Sequence, residues 1–196
     1  MAEVVAIYGS PRRKGNTSTL LDHAVSGVQE AGLEVKRFYL RDLTVSPCLE
    51  IYRCKKDGEC AIGDDFQVVR DAVLEAKGLL LASPIFFYSV SAQTKALMDR
   101  FQSQWVKKYW IDGAEFGKWT PKRKGLFISA GATKGKRLFE GTLFTVRYFF
   151  DTLDMELWKS LLYRGLDREQ DALSHPEYLQ EAKTAGRDFA AALSQG

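Results

Sequence analysis

Residues 9–18 read Gly-Ser-Pro-Arg-Arg-Lys-Gly-Asn-Thr-Ser, and they gather groups that bind an oxyanion. The hydroxyls of Ser10, Thr17 and Ser18 and the amide of Asn16 are short donors, and Arg12, Arg13 and Lys14 add positive charge. No carboxylate follows before Asp22. The stretch lies between an apolar run and a helical pattern, so the unpaired N–H groups of a helix start face the same place. Phosphate is the anion such a loop suits.

Elimination narrows the kind of phosphate. A nucleotide-hydrolysing loop sets Lys directly after its second Gly, whereas Asn16 and Thr17 follow Gly15 here. The dinucleotide fingerprint G-x-G-x-x-G is absent, and so is a cysteine nucleophile within the loop. The remaining common occupant is the terminal phosphate of a mononucleotide such as FMN. An ordinary basic turn capped by Asn16 or Thr17 is the plain alternative, but it leaves the convergence of donors unexplained.

Two more loops extend this candidate site. Residues 83–89, Ser-Pro-Ile-Phe-Phe-Tyr-Ser, form an aromatic turn, and residues 129–133, Ser-Ala-Gly-Ala-Thr, form a small-residue turn. A planar, half-apolar ring needs hydrophobic walls and a few backbone donors, which these loops supply. Taken alone, Phe86, Phe87 and Tyr88 read equally well as core.

The elements that must hold these loops alternate. Residues 3–8, 33–40, 78–83, 125–130 and 155–164 read as strands, with 79–82 the most apolar, as in a sheet covered on both faces. Helical spacing recurs over residues 17–31, over 66–76 with a cap at Asp64 or Asp65, and after Ser89 or Ser91 as far as Trp105. It returns over 138–153 and after a Ser174-x-x-Glu177 capping box with Pro176. Five strands alternating with five helices predict one α/β domain over residues 1–196, a doubly wound parallel sheet. Residues 44–63 and 102–124 are too irregular for this minimal pattern and read as functional loops.

Composition excludes other classes. The chain has 196 residues, 45% hydrophobic and 27% charged, which suits a globular core rather than a disordered chain. A net charge of +3 is too small to argue for nucleic acid. No apolar run approaches membrane-spanning length, and the apolar start lacks a basic n-region, so neither a span nor a signal peptide is expected. Three cysteines, an odd number, fit a reducing cytoplasm better than a disulfide framework.

GSPRRKGNTSTLL, SPIFFYSVSAQTKALMDR and SAGAT together resemble the NADPH-dependent FMN reductase and iron–sulfur flavoprotein branch of the flavodoxin-like superfamily. The resemblance implies a sheet of order 2-1-3-4-5 and non-covalently bound FMN. It also implies a homodimer or higher homo-oligomer with the flavin near the subunit boundary, and two-electron chemistry with NAD(P)H as co-substrate. By the same analogy Ser10, Arg12, Asn16, Thr17 and Ser18 hold the phosphate. Pro84, Ile85, Phe86 and Phe87, with Ser129, Ala130 and Gly131, line the ring. The acceptor would be a small molecule: a quinone, free flavin, nitro compound or metal oxyanion. No side chain stands out as a general acid or nucleophile. Tyr88 is the nearest proton-donor candidate, and His23 reads as a surface or packing residue.

A flavodoxin-type electron carrier is the rival, as is a flavin-free protein that keeps the fold. Carriers usually have a strongly acidic surface, which the +3 charge disfavours. Iron–sulfur members carry four clustered cysteines, whereas this chain reads Cys48-x2-Ile51-x2-Cys54-x5-Cys60, and Ile51 cannot bind iron. A zinc site would need a fourth ligand too, and His23 and His175 lie in distant contexts. Three thiolates holding a cluster with one labile iron is the lesser alternative, and no metal is expected. The segment reads as a structural relic of a cluster loop, turned at Pro47-Cys48 and at 58–60, with thiols open to redox chemistry. The aromatics Trp105, Tyr109, Trp110, Phe116 and Trp119 read either as a pocket wall or as dimer core. Lys107, Lys108, Lys118, Lys122, Arg123 and Lys124 read either as nicotinamide-phosphate ligands or as a solvated face.

Overall fold

The computed structural model describes residues 3–116 and 123–195. Trp119, Lys118 and Lys122 lie outside the described residues. In chain order the main elements are β1 (Val4–Tyr8), α1 (Asn16–Glu30), β2 (Val35–Tyr39), α2 (Cys54–Asp57), α3 (Phe66–Glu75) and β3 (Gly78–Pro84). There follow α4 (Ala92–Arg100), α5 (Gln102–Val106), β4 (Arg123–Gly131), α6 (Glu140–Thr152), β5 (Met155–Arg164) and α7 (Pro176–Leu193). The strands form one parallel sheet of order β2-β1-β3-β4-β5.

Strand period explains the two cores. Every residue of β1 is buried, yet Val4, Ala6 and Tyr8 pack with α1 and α7, while Val5 and Ile7 pack with α3, α4 and α6. Leu80 and Ile128 join the first group, and Leu79, Leu81 and Phe127 the second. Central strands must therefore be apolar on both faces. β2, at one edge, has exposed Lys36 and Arg37. Among the described residues no helix is long and apolar enough to cross a membrane.

α1 and α7 approach closely because glycines meet at their crossing. A Cβ on Gly186 would lie 1.9 Å from the Ala24 carbonyl oxygen, and one on Gly27 would lie 2.0 Å from that of Lys183.

Local chemistry corrects several expectations. Asp64, rather than Asp65, caps α3: its Oδ1 accepts from the Phe66 N–H (3.0 Å), and its own N–H donates to Gln67 Oε1 (3.1 Å). Ser91, not Ser89, opens α4. The capping box at Ser174 does not form, because His175 is the cap residue and makes no side-chain cap bond. Glu177 turns instead to His175 Nδ1 (3.0 Å), and the His175 ring stacks on Tyr178. The continuous helix expected through Trp105 breaks at Phe101, and residues 102–111 are helical rather than irregular, ending in a π-helical turn over Lys107–Ile111. Lys108 reaches from that turn to Asp154 (2.8 Å), which ties the basic segment to α6 and the start of β5. The segment before α2 has no turn at Pro47 and Cys48, contrary to expectation, whereas Gly58 does turn in the left-handed region (φ 77°).

Gly186→Ala must force the two helices apart. The expected cost is about 1–3 kcal/mol, typical of overpacking, seen as a lower denaturation midpoint with an unchanged slope.

Candidate functional site

The strand order reverses between β1 and β3, since β1 connects outward to β2 while β3 leads the other way to β4. Their carboxyl ends therefore diverge from a crevice, where open α/β sheets bind ligands. Buried hydroxyls lace the three central strand ends together. Ser129 Oγ donates to the Ser83 carbonyl (2.7 Å), Ser83 Oγ accepts from the Ser91 N–H (2.9 Å), and Ser91 Oγ donates to the Gly9 carbonyl (2.6 Å). Gly9 is packed so tightly that a Cβ there would lie 2.0 Å from Thr94 Oγ1. The crevice floor is thereby fixed before any ligand arrives.

The loop above it is folded by its own polar groups. Ser10 Oγ accepts from the Arg12 N–H (3.1 Å), while Ser18 Oγ donates to the Arg12 carbonyl (3.2 Å). Asn16 acts as a clip, donating to the Arg168 carbonyl (2.9 Å) and accepting from the Ala172 N–H (3.0 Å), so it fastens the segment after β5. Arg13 is drawn aside to Asp42 (2.7 Å) and over the Tyr39 ring. Arg12 and Lys14 stay exposed at the rim. α1 starts at Asn16 with no acidic residue in its first turn, so its unpaired N–H groups face the loop without a competing carboxylate. Below the loop the Tyr8 hydroxyl donates to Asp22 Oδ1 (2.7 Å), and burial followed by that carboxylate pushes its pKa far up, keeping the phenol neutral.

A cavity of about 280 Å³ opens here, with Ser10, Arg12, Asn16, Thr17, Pro84, Ile85, Phe86, Ala130 and Gly131 among its walls. The crevice thus brings together nine of the residues singled out from sequence. Ser18, Ser129 and Phe87 do not line it: Ser18 and Ser129 brace the backbone, and Phe87 is fully exposed. Leu166 and Asp167, just beyond β5, do line it. Their position at the carboxyl end of a strand is the sequence signal that marks them.

The aromatic turn is a two-residue hairpin. Phe86 and Ser89 exchange both backbone hydrogen bonds (2.9 Å each), and Phe87 and Tyr88 both take left-handed φ (50° and 60°). That conformation ordinarily favours Asn-Gly, so two aromatic residues here are strained. Tyr88 sits at the exposed tip, outside the cavity walls, which removes it as the nearest proton donor. The Ile85 N–H is already bound to the Ala130 carbonyl (3.0 Å), and that of Phe86 to Ser89. These two residues offer side-chain walls rather than amide donors.

A larger cavity, about 570 Å³, lies at the cysteine segment, where Cys48, Ile51, Cys54 and Cys60 share its wall with Tyr52 and Trp110. The smaller cavity joins an acid-free helix start to a tight glycine loop; the larger lacks that combination. Arg100, fully buried, organises the segment. It donates to Asp64 Oδ2 (2.7 Å), the Ser46 carbonyl (3.0 Å), the Ile62 carbonyl (2.8 Å) and, through Nε, Cys60 Sγ (3.2 Å). Burial works to raise the Asp64 pKa, but Arg100 and the Ser46 and Phe66 amides outweigh it and hold the carboxyl below its usual range.

The family described as NADPH-dependent FMN reductase matches residues 2–150. Two iron–sulfur flavoproteins are similar in sequence. The one from Methanocaldococcus jannaschii is 42% identical over 98 residues, 50% of this chain and 51% of that one. The one from Archaeoglobus fulgidus is 42% identical over 97 residues, 50% and 49%. The chain thus covers about half the length of these relatives. The NAD(P)H:quinone oxidoreductase of Methanothermobacter marburgensis has a similar fold, with a TM-score of 0.68, 19% identity and 94% of each chain covered.

FMN fits the first cavity: a helix start without an acid, an exposed guanidinium and a tight glycine loop lie at one end, and Pro84, Ile85 and Phe86 at the other. An iron–sulfur cluster, named in those two relatives, does not fit the second. A four-iron cluster takes four thiolates, Ile51 stands midway between Cys48 and Cys54, and Cys60 already accepts from Arg100. Among the described residues no three His, Cys, Asp or Glu side chains are placed to hold a metal ion.

Thr17→Asp places a carboxylate in the first turn of α1 beside the phosphate end. FMN affinity is expected to fall about 100-fold, the scale of an unpaired charge in a partly buried site, as read by fluorescence titration of the apoprotein.

Because the folded Asp64 pKa is depressed, its contribution is complete above the unfolded carboxylate value of about 3.9 and is lost as pH falls through the folded value. Denaturation midpoints of the wild type should therefore drop below about pH 4. The Asp64→Asn variant, less stable at neutral pH, should lack that acid-dependent component.

Proposed function

Because the chain belongs to the NADPH-dependent FMN reductase family, we propose that it passes electrons from NAD(P)H through bound FMN to a small-molecule acceptor. Quinones, free flavins, nitro compounds and metal oxyanions are the candidate acceptors. The observation that carries this reading is the crevice at the strand-order reversal. It joins a basic, acid-free helix start to an apolar wall that opens past half-exposed Phe86. FMN, when bound, supplies two-electron transfer between a nicotinamide and an acceptor.

The chain's own residues bind and orient. The N-terminal turn of α1, with Ser10 and Thr17, holds the phosphate, and Arg12 offsets its charge. Pro84, Ile85 and Phe86 lie side by side with Ala130 and Gly131 at adjacent strand ends, where they wall one side of the ring position and exclude water from it. Asn16 acts at one remove, because its amide is spent on the Arg168 and Ala172 backbone. With one open side, nicotinamide and acceptor must occupy the same space in turn. The protein works in the cytoplasm as one domain that pairs with a second copy, and the exposed Phe87–Tyr88 hairpin suits such a contact.

The rival reading, a flavodoxin-type carrier without its own substrate, is disfavoured by the cationic rim and the net charge of +3. Steady-state NADPH oxidation by the FMN-loaded protein with a soluble quinone should give parallel double-reciprocal lines. A carrier would show almost no turnover with any such pair, and that result would retire the reductase reading.

A further inference from the structure

The cysteine segment has no part in the crevice chemistry, yet it is built with unusual care. Three free thiols line one solvent-connected cavity of about 570 Å³. They are not equivalent. Cys60 Sγ lies 3.2 Å from Nε of Arg100, a guanidinium whose side chain has no solvent exposure and which Asp64 and two backbone carbonyls hold in place. Cys54 opens the short helix α2 on the opposite side of the Gly58 turn, and burial, then the charges of Cys48 and Cys60, push its thiol pKa up. Cys48 lies on the stretch before α2, and no side-chain hydrogen bond fixes its sulfur among those the structure records.

The cavity walls point to a kind of ligand. Leu49, Ile51 and Trp110 are exposed apolar surface, and Lys55 lies over both the Tyr52 and Trp110 rings, 4.0 and 5.1 Å from their centroids. Arg53 adds a second cation at the wall, and Glu50 and Asp99 add two carboxylates. An apolar floor under charges of both signs suits a small zwitterionic organic molecule.

We propose that this cavity is a thiol–disulfide exchange site for low-molecular-weight disulfides bearing both ammonium and carboxylate groups, with Cys60 as the attacking sulfur and Cys54 as the resolving one. Cys60 Sγ, beside its guanidinium, gives up its proton and attacks one sulfur of RS–SR. A Cys60–S–S–R bond forms, the S–S bond of the reagent breaks, and RS⁻ leaves. The Cys54 thiol then loses its proton and attacks Cys60 Sγ, forming Cys54–S–S–Cys60 and expelling the second RS⁻. The two protons released by the protein thiols end on the two leaving groups. Two protein thiols are oxidised and one small disulfide is reduced to two thiols. The division of labour follows from chemistry. An attacking sulfur needs a charge partner, and a resolving thiol must stay protonated until the mixed disulfide is made.

The probe is glutathione disulfide, added anaerobically to the FMN-loaded, fully reduced protein, followed by alkylation and mass analysis. The wild type should fall from three alkylatable thiols to one, at Cys48, and release two equivalents of glutathione. Cys54→Ser should stop at one glutathione bound to Cys60, and Cys48→Ser should behave as the wild type. Cys60→Ser should react about ten-fold or more slowly, as expected when the charge-partnered sulfur is lost. Three unreacted thiols in the wild type, an internal disulfide that includes Cys48, or undiminished reaction of Cys60→Ser would each overturn the proposal. So would stoichiometric iron and acid-labile sulfide in anaerobically purified protein. None of these readouts depends on NADPH oxidation, so failure here leaves the reductase reading untouched, and the converse also holds.

Discussion

The structure depends on how closely β1 and β3 run at their carboxyl ends. The Gly9 N–H donates to the Ala82 carbonyl at 2.7 Å, and Ser91 reaches back to the Gly9 carbonyl at 2.6 Å. No side chain fits between them, since a Cβ on Gly9 would lie 2.8 Å from that same Ala82 oxygen. This contact decides where the chain can leave the sheet. Beyond Gly9 the backbone must rise over the strand ends and return as α1, which aims the helix start at the crevice between β1 and β3. The serine lacing then carries the constraint across to β4. Anion binding here is a consequence of strand packing, because the helix amides are placed by the sheet and not by the ligand.

Much of this was legible in the residues. The continuous apolar runs of β1 and β3 and the 3.6-residue spacing in α1 and α7 each follow from local patterning, and the element order needed nothing else. β5 appears with the bounds the pattern predicts, Met155–Arg164. Local patterning gives way where a tertiary partner outweighs it. Ser174 had the spacing of a cap, but His175 stacks on Tyr178 and takes Glu177 as its partner. Residues 102–111 lacked a clean helical stripe because their aromatics pack sideways on one another. The rings of Tyr109 and Phe116 stack at 4.1 Å, and Trp105 meets Tyr109, Trp110 and Phe116.

In the crevice, residue type was readable and residue role was not. Ser10, Asn16, Thr17 and Ser18 share the same polar vocabulary, yet Asn16 binds two distant backbone groups and Ser18 binds the loop carbonyl of Arg12. Spacing along the sequence says which donors are near a turn, but only the fold says which are already occupied. The same holds for Ser129, whose hydroxyl is turned into the sheet to meet Ser83. A polar residue at a strand end serves the strands first, and what remains unbonded serves the ligand.

Charge is sorted by the same logic. Of the three consecutive cations in the loop, Arg13 is held by Asp42, and Arg41, its neighbour in the next turn, donates to the Pro11 carbonyl (2.8 Å). These contacts pin the loop to the short 3-10 turn Leu40–Asp42, from which the cysteine segment departs. Arg100 in turn pins the far side of that segment to Asp64, the cap of α3. An exposed fastening at Arg13 and a fully buried one at Arg100, with Arg70 holding Glu59 between them, therefore secure this long excursion from the sheet. The exposed one is worth little in free energy, because water screens it. The buried one is different: removing either partner would strand a charge in the core, at about 3–5 kcal/mol. The excursion is thus anchored firmly at its α3 end and loosely at its phosphate-loop end. Of the three sulfurs, the one beside Arg100 is therefore tied to the anchored end of the excursion.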